Sequence, residues 1–213
     1  MANQLKIDFV SDVSCPWCAI GLKSLEAALA NLKGDVAVDL HFQPFELNPK
    51  MGADGQDIVE HIAEKYGSTA ADIERNRENI TARGAAVGFQ FNMQKRGRIY
   101  NTFDAHRLLH WAELEGKQEA LKNALFTAYF TEGRNPSDHA VLVDVAQQVG
   151  LDAKRAAEIL KSDEFAADVR AREKFYIDRG IQAVPSVIIN DQHLIQGGQP
   201  AEVFERALRQ LAQ

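Results

Sequence analysis

Two cysteines three residues apart, in Val13-Ser14-Cys15-Pro16-Trp17-Cys18, are the only ones in 213 residues. No other feature restricts the fold of this chain so strongly. Upstream, Leu5–Val10 is β-branched and aromatic, as a strand requires; downstream, Ala19–Leu32 carries apolar residues at helical spacing. Cys15 then stands where a strand ends and a helix begins. Unpaired amide N–H groups and the positive end of the helix dipole converge there, and both stabilise an anion such as a thiolate. The pair reads as a redox couple or as half a metal site. Zinc takes four ligands, and the chain offers no second cysteine pair and no Cys/His cluster, so redox chemistry without a metal is the expectation.

Beyond the first helix, residues 35–45 alternate apolar and polar side chains as a second strand, parallel to the first across a helical crossover. From Pro49 to about Gly180 the pattern is helical, with no strand expected. The spacing predicts helices over 56–66, 69–84, 101–115, 118–131, 137–149, 153–160 and 163–179. Asp57, Ser68, Ser137, Asp152 and Ser162 are expected N-caps, and Gly84, Gly116, Gly133, Gly150 and Gly180 are expected at or past helix ends. Residues 85–93 are expected to cross the surface as an extended piece. Residues 184–190 and 193–195, with a turn at Asp191-Gln192, predict a hairpin, and 200–211 a closing amphipathic helix with Pro at its start.

Composition bounds the partners. A formal charge of −6, with both signs interspersed, leaves no basic patch for nucleic acid or anionic lipid. No run is long enough to span a membrane, and the N-terminus lacks a basic segment followed by a long apolar one. A cytoplasmic location is the expectation, and thiols there are kept reduced, so a cysteine pair is more often chemical than structural. Monomer and homodimer are both compatible with the composition.

The order β-α-β, helical block, α-β-β-α, with Cys-Pro-Trp-Cys at the first junction, resembles the thioredoxin fold interrupted by a helical insertion. Together with Val184-Pro185 and the size of the insert, the motif resembles the DsbA-like oxidoreductases. Asp12–Cys18 and Asn101–Leu108 are similar in particular to the cytosolic FrnE-type branch. The resemblance implies an α/β thioredoxin fold with residues 1–48 and 163–213 forming the sheet and 49–162 inserted. It implies a cis Pro185 beside the cysteines, a Val184 backbone that hydrogen-bonds an extended substrate, and an insert covering the active-site side. Pro16 and Trp17 join Val184 and Pro185 as candidate substrate-binding residues.

In this reading Cys15 is the nucleophile that attacks a disulfide, and Cys18, one turn into the helix and more buried, resolves the mixed disulfide. Pro16 donates no N–H and Trp17 is neutral, so neither adds positive charge. The expected potential lies between thioredoxin-like and strongly oxidising, about −270 to −120 mV. Substrates are protein or small thiols and disulfides, glutathione being a candidate co-substrate, with no other cofactor. Asp8 and Asp12 are candidate acids behind the pair, although thioredoxin-like proteins place that acid where this chain has Phe9; salt-bridged surface aspartates are the default. His106 and His110 are four apart on one helix without a metalloprotease glutamate between them, and His106 could face Cys15. Phe103, Leu109, Trp111, Leu125, Phe126 and Phe130 are read as core. Two rivals keep the fold: a glutathione-dependent isomerase or transferase acting on a small aromatic, resembling the 2-hydroxychromene-2-carboxylate isomerase and kappa-class transferase families, and a thioredoxin-fold binding module or chaperone.

Overall fold

The computed structural model describes residues 4–212. A four-stranded sheet is built from β1 (Leu5–Ser11), β2 (Val38–Pro44), β5 (Ser186–Ile189) and β6 (His193–Gln196), in the order β2-β1-β5-β6. Strand β1 runs parallel to β2, with Phe9 opposite Phe42, and antiparallel to β5, with Phe9 opposite Val187. The crossover between β1 and β2 is α1 (Pro16–Asn31), and α9 (Ala201–Leu211) closes the chain. This is the α/β order the sequence leads one to expect.

Strand β1 is central, so both of its faces are buried and its apolar residues run almost without interruption. Leu5, Ile7 and Phe9 enter a core shared with α1 and α9, through Leu22, Leu25, Phe204 and Leu208. Val10 turns to the opposite face and packs with Phe45, Tyr176 and Ile181. Tyr176 belongs to α8 (Ala166–Asp178), the helix that leads back into the sheet.

Between the two halves of the sheet lie β3 (Gln56–Asp57), α2 (Ile58–Tyr66), α3 (Ala70–Ala86), β4 (Arg98–Ile99), α4 (Phe103–Leu114), α5 (Gln118–Phe126), a π-helical turn (Thr127–Thr131), α6 (His139–Gln148) and α7 (Ala153–Leu160). Helices α4 to α7 enclose a core of their own around Leu108, Leu121, Leu125, Leu142 and Ile159. Val13, from the loop just ahead of Cys15, is fully buried in that core. The insertion also docks on the sheet edge: the Gln118 side chain accepts from the Phe42 N–H (2.9 Å) and donates to the Phe42 carbonyl (3.0 Å). An edge strand's free backbone groups are thereby occupied. Among the described residues no helix is long and apolar enough to cross a membrane.

Several local expectations are corrected. The N-caps of α3, α6 and α8 are Thr69, Asp138 and Phe165, not Ser68, Ser137 and Ser162; Thr69 forms a reciprocal capping box with Asp72, which an isolated serine cannot match. Two-residue strands β3 and β4 pair inside the region read as purely helical. Residues 85–93 do not cross the surface as an extended piece: α3 continues to Ala86, and Phe89 and Phe91 turn inward onto Phe130, with centroids 6.4 Å and 5.2 Å from it. Of the aromatic and leucine positions read as core, Leu109, Trp111, Leu125, Phe126 and Phe130 are buried, while Phe103 is half-buried under the Arg170 guanidinium.

Gly84 lies inside α3 rather than ending it, because Phe91 needs the space. A Cβ there would sit 2.3 Å from a Phe91 ring carbon and 2.9 Å from the Phe89 carbonyl oxygen. Gly-to-Ala in a helix interior ordinarily gains up to about 1 kcal/mol. Here Gly84→Ala is expected to cost about 1–3 kcal/mol through overpacking, read as a lower urea midpoint at unchanged slope; a raised midpoint would refute the packing account.

Candidate functional site

The loop from β1 to α1 positions the cysteines, and one carboxylate organises it. Asp12 is 1% exposed. Its oxygens accept from the Ser14 N–H (3.2 Å), the Ser14 hydroxyl (3.0 Å) and the Leu47 N–H (2.7 Å). His106 Nε2, from α4, stands 3.6 Å away and lies 3.1 Å from the Phe45 carbonyl oxygen. Burial pushes the Asp12 carboxyl up, but the His106 ring and the Leu47 amide outweigh it and hold the carboxyl at about 2. Arg96 clamps the same loop from outside, donating to the Ser14 carbonyl at 3.1 Å.

Held this way, Cys15 is the N-cap of α1, with extended backbone (φ −93°, ψ 112°) and Pro16 behind it. Proline suits a first helical turn because its missing N–H would be unpaired there anyway. The Cys18 N–H closes onto the Cys15 carbonyl at 3.1 Å, which places the second sulfur one turn along. Both cysteines are free thiols; Cys15 is 4% exposed and Cys18 fully buried. Burial pushes the Cys18 thiol well up, and the neighbouring Cys15 sulfur adds to that; the charge of Lys122 and the Asp12 backbone N–H oppose it.

The Val184–Pro185 bond is cis. Cys15 Sγ lies 3.7 Å from the Val184 carbonyl oxygen, so the nucleophile candidate and the proline loop adjoin across 169 residues of sequence. Close approach of that loop requires Gly21, whose Cβ would stand 3.1 Å from Pro185 Cγ. Trp17 is half-buried, with its carbonyl oxygen 3.1 Å from where a Cβ on Gly198 would be. Cys15, Pro16, Trp17 and Val184 all line one cavity of about 680 Å3, roofed by Ile58 and Ile62 of α2 and Ile73 and Ile80 of α3. Lys65, Arg77 and Arg96 bring positive charge into it. Its buried carboxylate, Glu46, is pushed up by burial and by the facing Glu173, against the pull of Arg170.

The structure relocates the other candidates. Asp8 and Asp12 are not surface aspartates: Asp8 is fully buried, bonded by Gln43 at 2.7 Å and Lys6 at 2.9 Å. Both carboxylates come from the central strand and its exit, where every side chain except that of Lys6 is buried. His106 meets Asp12 and Phe45 on the loop rather than sharing a ligand with His110, whose ring lies against Phe165 with centroids 5.0 Å apart. No group of three His, Cys, Asp or Glu side chains able to hold a metal occurs among the described residues. Arg96, Lys65, Arg77 and Lys122 were not singled out from sequence. Only Lys122 leaves a trace there: it shares the buried face of α5 with Gln118, Leu121, Leu125 and Phe126, a charge in an apolar stripe.

Comparison with known proteins agrees with this geometry. The family model of the DSBA-like thioredoxin domain matches residues 6–209. YwbO of Bacillus subtilis, an uncharacterized protein, is 28% identical over 203 residues, covering 95% of this chain and 94% of that protein. The crystal structure of a probable DsbA oxidoreductase of Streptomyces coelicolor, SCO1869, is 33% identical and superposes with a TM-score of 0.89, over 97% of this chain and 89% of that one. The cytosolic disulfide reductase DsbM of Pseudomonas aeruginosa, solved with GSH, is similar in fold alone, at 17% identity and a TM-score of 0.68 over 98% and 100% of the two chains.

Asp12 titrates below its unfolded value, so its contribution to stability is complete above the ordinary carboxyl pKa and is lost as pH falls through about 2. Asp12→Asn is expected to lower folding stability near neutral pH by about 2 kcal/mol. The gap between wild type and variant should close between about pH 4 and pH 2. Urea unfolding across that range checks it, and a gap independent of pH would exclude Asp12 as a buried carboxylate that anchors the loop.

Proposed function

The chain belongs to the DSBA-like thioredoxin domain family, and from that membership and the sulfur geometry we propose that it is a thiol–disulfide oxidoreductase working through Cys15 and Cys18. The observation that carries the reading is a thiol on the N-cap residue of α1, 3.7 Å from the carbonyl of Val184, with a second, buried thiol one turn along the helix. The Cys15 thiolate attacks a substrate disulfide; Cys18 then attacks the Cys15 sulfur and releases the product. Val184 offers backbone to the substrate, Pro185 closes the loop against α1, and Pro16 and Trp17 form the rim of the cavity. No metal or organic cofactor enters the scheme. The FrnE-type branch and a cytoplasmic location fit this chemistry, since a reducing compartment regenerates the dithiol.

The cavity favours a small co-substrate as well. A volume of about 680 Å3 falls in the range of small-molecule sites. Its isoleucine roof and its cations Lys65, Arg77 and Arg96 suit a thiol or disulfide that carries carboxylates, glutathione among them. This keeps a second reading in view, glutathione-dependent isomerisation or transfer on an aromatic compound. The retained Cys18 weighs against it, because such a reaction has no use for a resolving thiol.

Cys15→Ser is expected to reduce dithiol-dependent insulin reduction and RNase refolding to the uncatalysed rate, and undiminished turnover would sink the assignment. Cys18→Ser is expected to accumulate a stable mixed disulfide on Cys15, detected by intact-mass measurement. Glutathione-dependent turnover of an aromatic substrate surviving that substitution would favour the second reading. Equilibration with glutathione buffers is expected to place the couple between about −270 and −120 mV.

A further inference from the structure

A small thiol that reduces the oxidised pair must shed its proton to attack, because the thiolate is the nucleophile and an aliphatic thiol is mostly protonated near neutral pH. Such a thiol reaches Cys15 through the cavity, so an acceptor for its proton has to stand in the cavity wall. Few side chains there can serve. The carboxylate of Glu46 is engaged by the Arg170 guanidinium. Lys65 keeps its ammonium on the Leu47 carbonyl and on Asn48 Oδ1, at 2.8 Å each.

His61 remains. Helix α2 gives Ile58, His61, Ile62 and Lys65 to the cavity wall, residues three and four apart that share one face of the helix. An imidazole therefore interrupts an isoleucine stripe on the wall of the space that Cys15 also lines. Its tautomer is set by a neighbour. Gln56 donates through Nε2 to the Glu64 carboxylate at 2.7 Å, which fixes the amide and leaves Oε1 as the acceptor, 2.8 Å from His61 Nδ1. Nδ1 carries the ring hydrogen, and the lone pair lies on Nε2. Burial draws the ring below its ordinary range, and the charges of Lys65 and Arg96 add to this against Glu64, so the imidazole is uncharged near neutral pH. A base whose lone pair is fixed by a third group is the arrangement that activates nucleophiles.

We propose that His61 is the general base for small thiols that reduce the Cys15–Cys18 disulfide, taking the proton of the incoming thiol at Nε2. The inference rests on the exchange reading above and makes the reductant a thiol that enters the cavity protonated. In the first step the thiol sulfur forms a bond to Cys15 Sγ as its proton passes to His61, and the Cys15–Cys18 bond breaks with its electron pair leaving on the Cys18 sulfur. A second thiol then attacks the sulfur of the first, its proton going the same way, and Cys15 leaves as a thiolate. The two thiols are oxidised by two electrons to a disulfide, and the cysteine pair is reduced by two. The imidazolium gives each proton to water, and the cysteine thiolates take up protons from water.

The test compares two reductants that differ in one atom. The protein is oxidised with diamide, freed of it, and mixed anaerobically near neutral pH with 2-mercaptoethanol, which is protonated there, or with 2-hydroxyethaneselenol, which is already ionised and needs no base. Samples are quenched with acid and alkylated, and free cysteines are counted by intact mass. Glutamine at position 61 keeps a hydrogen for Gln56 Oε1 and cannot take up a proton. His61→Gln is expected to slow the thiol about 10²-fold more than the selenol, the scale of a positioned base. Equal slowing of both reagents, or of neither, overturns the inference while leaving the exchange reading intact. Failure of both reagents to reduce the pair in the wild type overturns the exchange reading itself. Should His61→Gln fail to fold, the wild type decides alone: the ratio of thiol rate to selenol rate is expected to be about 10²-fold higher on the protein than on free cystine, and a ratio no higher than on cystine overturns the inference equally.

Discussion

The buried Asp12 carboxylate is the interaction on which the rest of this structure depends. A charge in a dry interior is tolerated only when hydrogen bonds satisfy it, and Asp12 finds them in the Ser14 N–H and hydroxyl and the Leu47 N–H, with the His106 ring 3.6 Å away. These neighbours come from three places: the cysteine loop, the segment after β2, and α4 of the insertion. One side chain therefore ties the sheet, the loop and the helical block together just ahead of Cys15. Arg96 adds a fourth attachment through the Ser14 carbonyl.

Much of this was legible because the signals are local. The strands of the four-stranded sheet, α1 and the long helices follow from periodicity, and the cysteine spacing with its flanking patterns puts one sulfur at a helix start and the next a turn along. The cis Val184–Pro185 bond followed from family resemblance rather than from the residues themselves. What escaped is long-range. Asp12 and Asp8 look like ordinary surface acids until one sees that β1 is the central strand, which follows only from the pairing with β2 on one side and β5 on the other. Thr69 outcompetes Ser68 as a cap because of Asp72 three residues on, a pairing that an inventory of cap residue types passes over. Phe89 and Phe91 alternate as a surface strand would, yet Gly84 lets them fold beneath α3. Arg96, Lys65 and Arg77 carry no mark in the sequence at all; only folding brings them to one cavity.

The insertion does more than cover the sulfurs. Its first two helices line the cavity that the cysteine motif also lines, and its third supplies His106 to the neighbourhood of Asp12.

Val13 belongs by sequence to the cysteine loop and by packing to the core of α4 to α7. Its side chain thereby acts as a peg between the sheet and the helical block, beside the Gln118–Phe42 and Arg96–Ser14 hydrogen bonds. Repacking the helical bundle alters the hole in which the peg sits, and the displacement is passed over two peptide units to the reactive sulfur. The two bodies are consequently bound to drift together, and grafting the bundle of one relative onto the sheet of another should fail at this seam before it fails anywhere else.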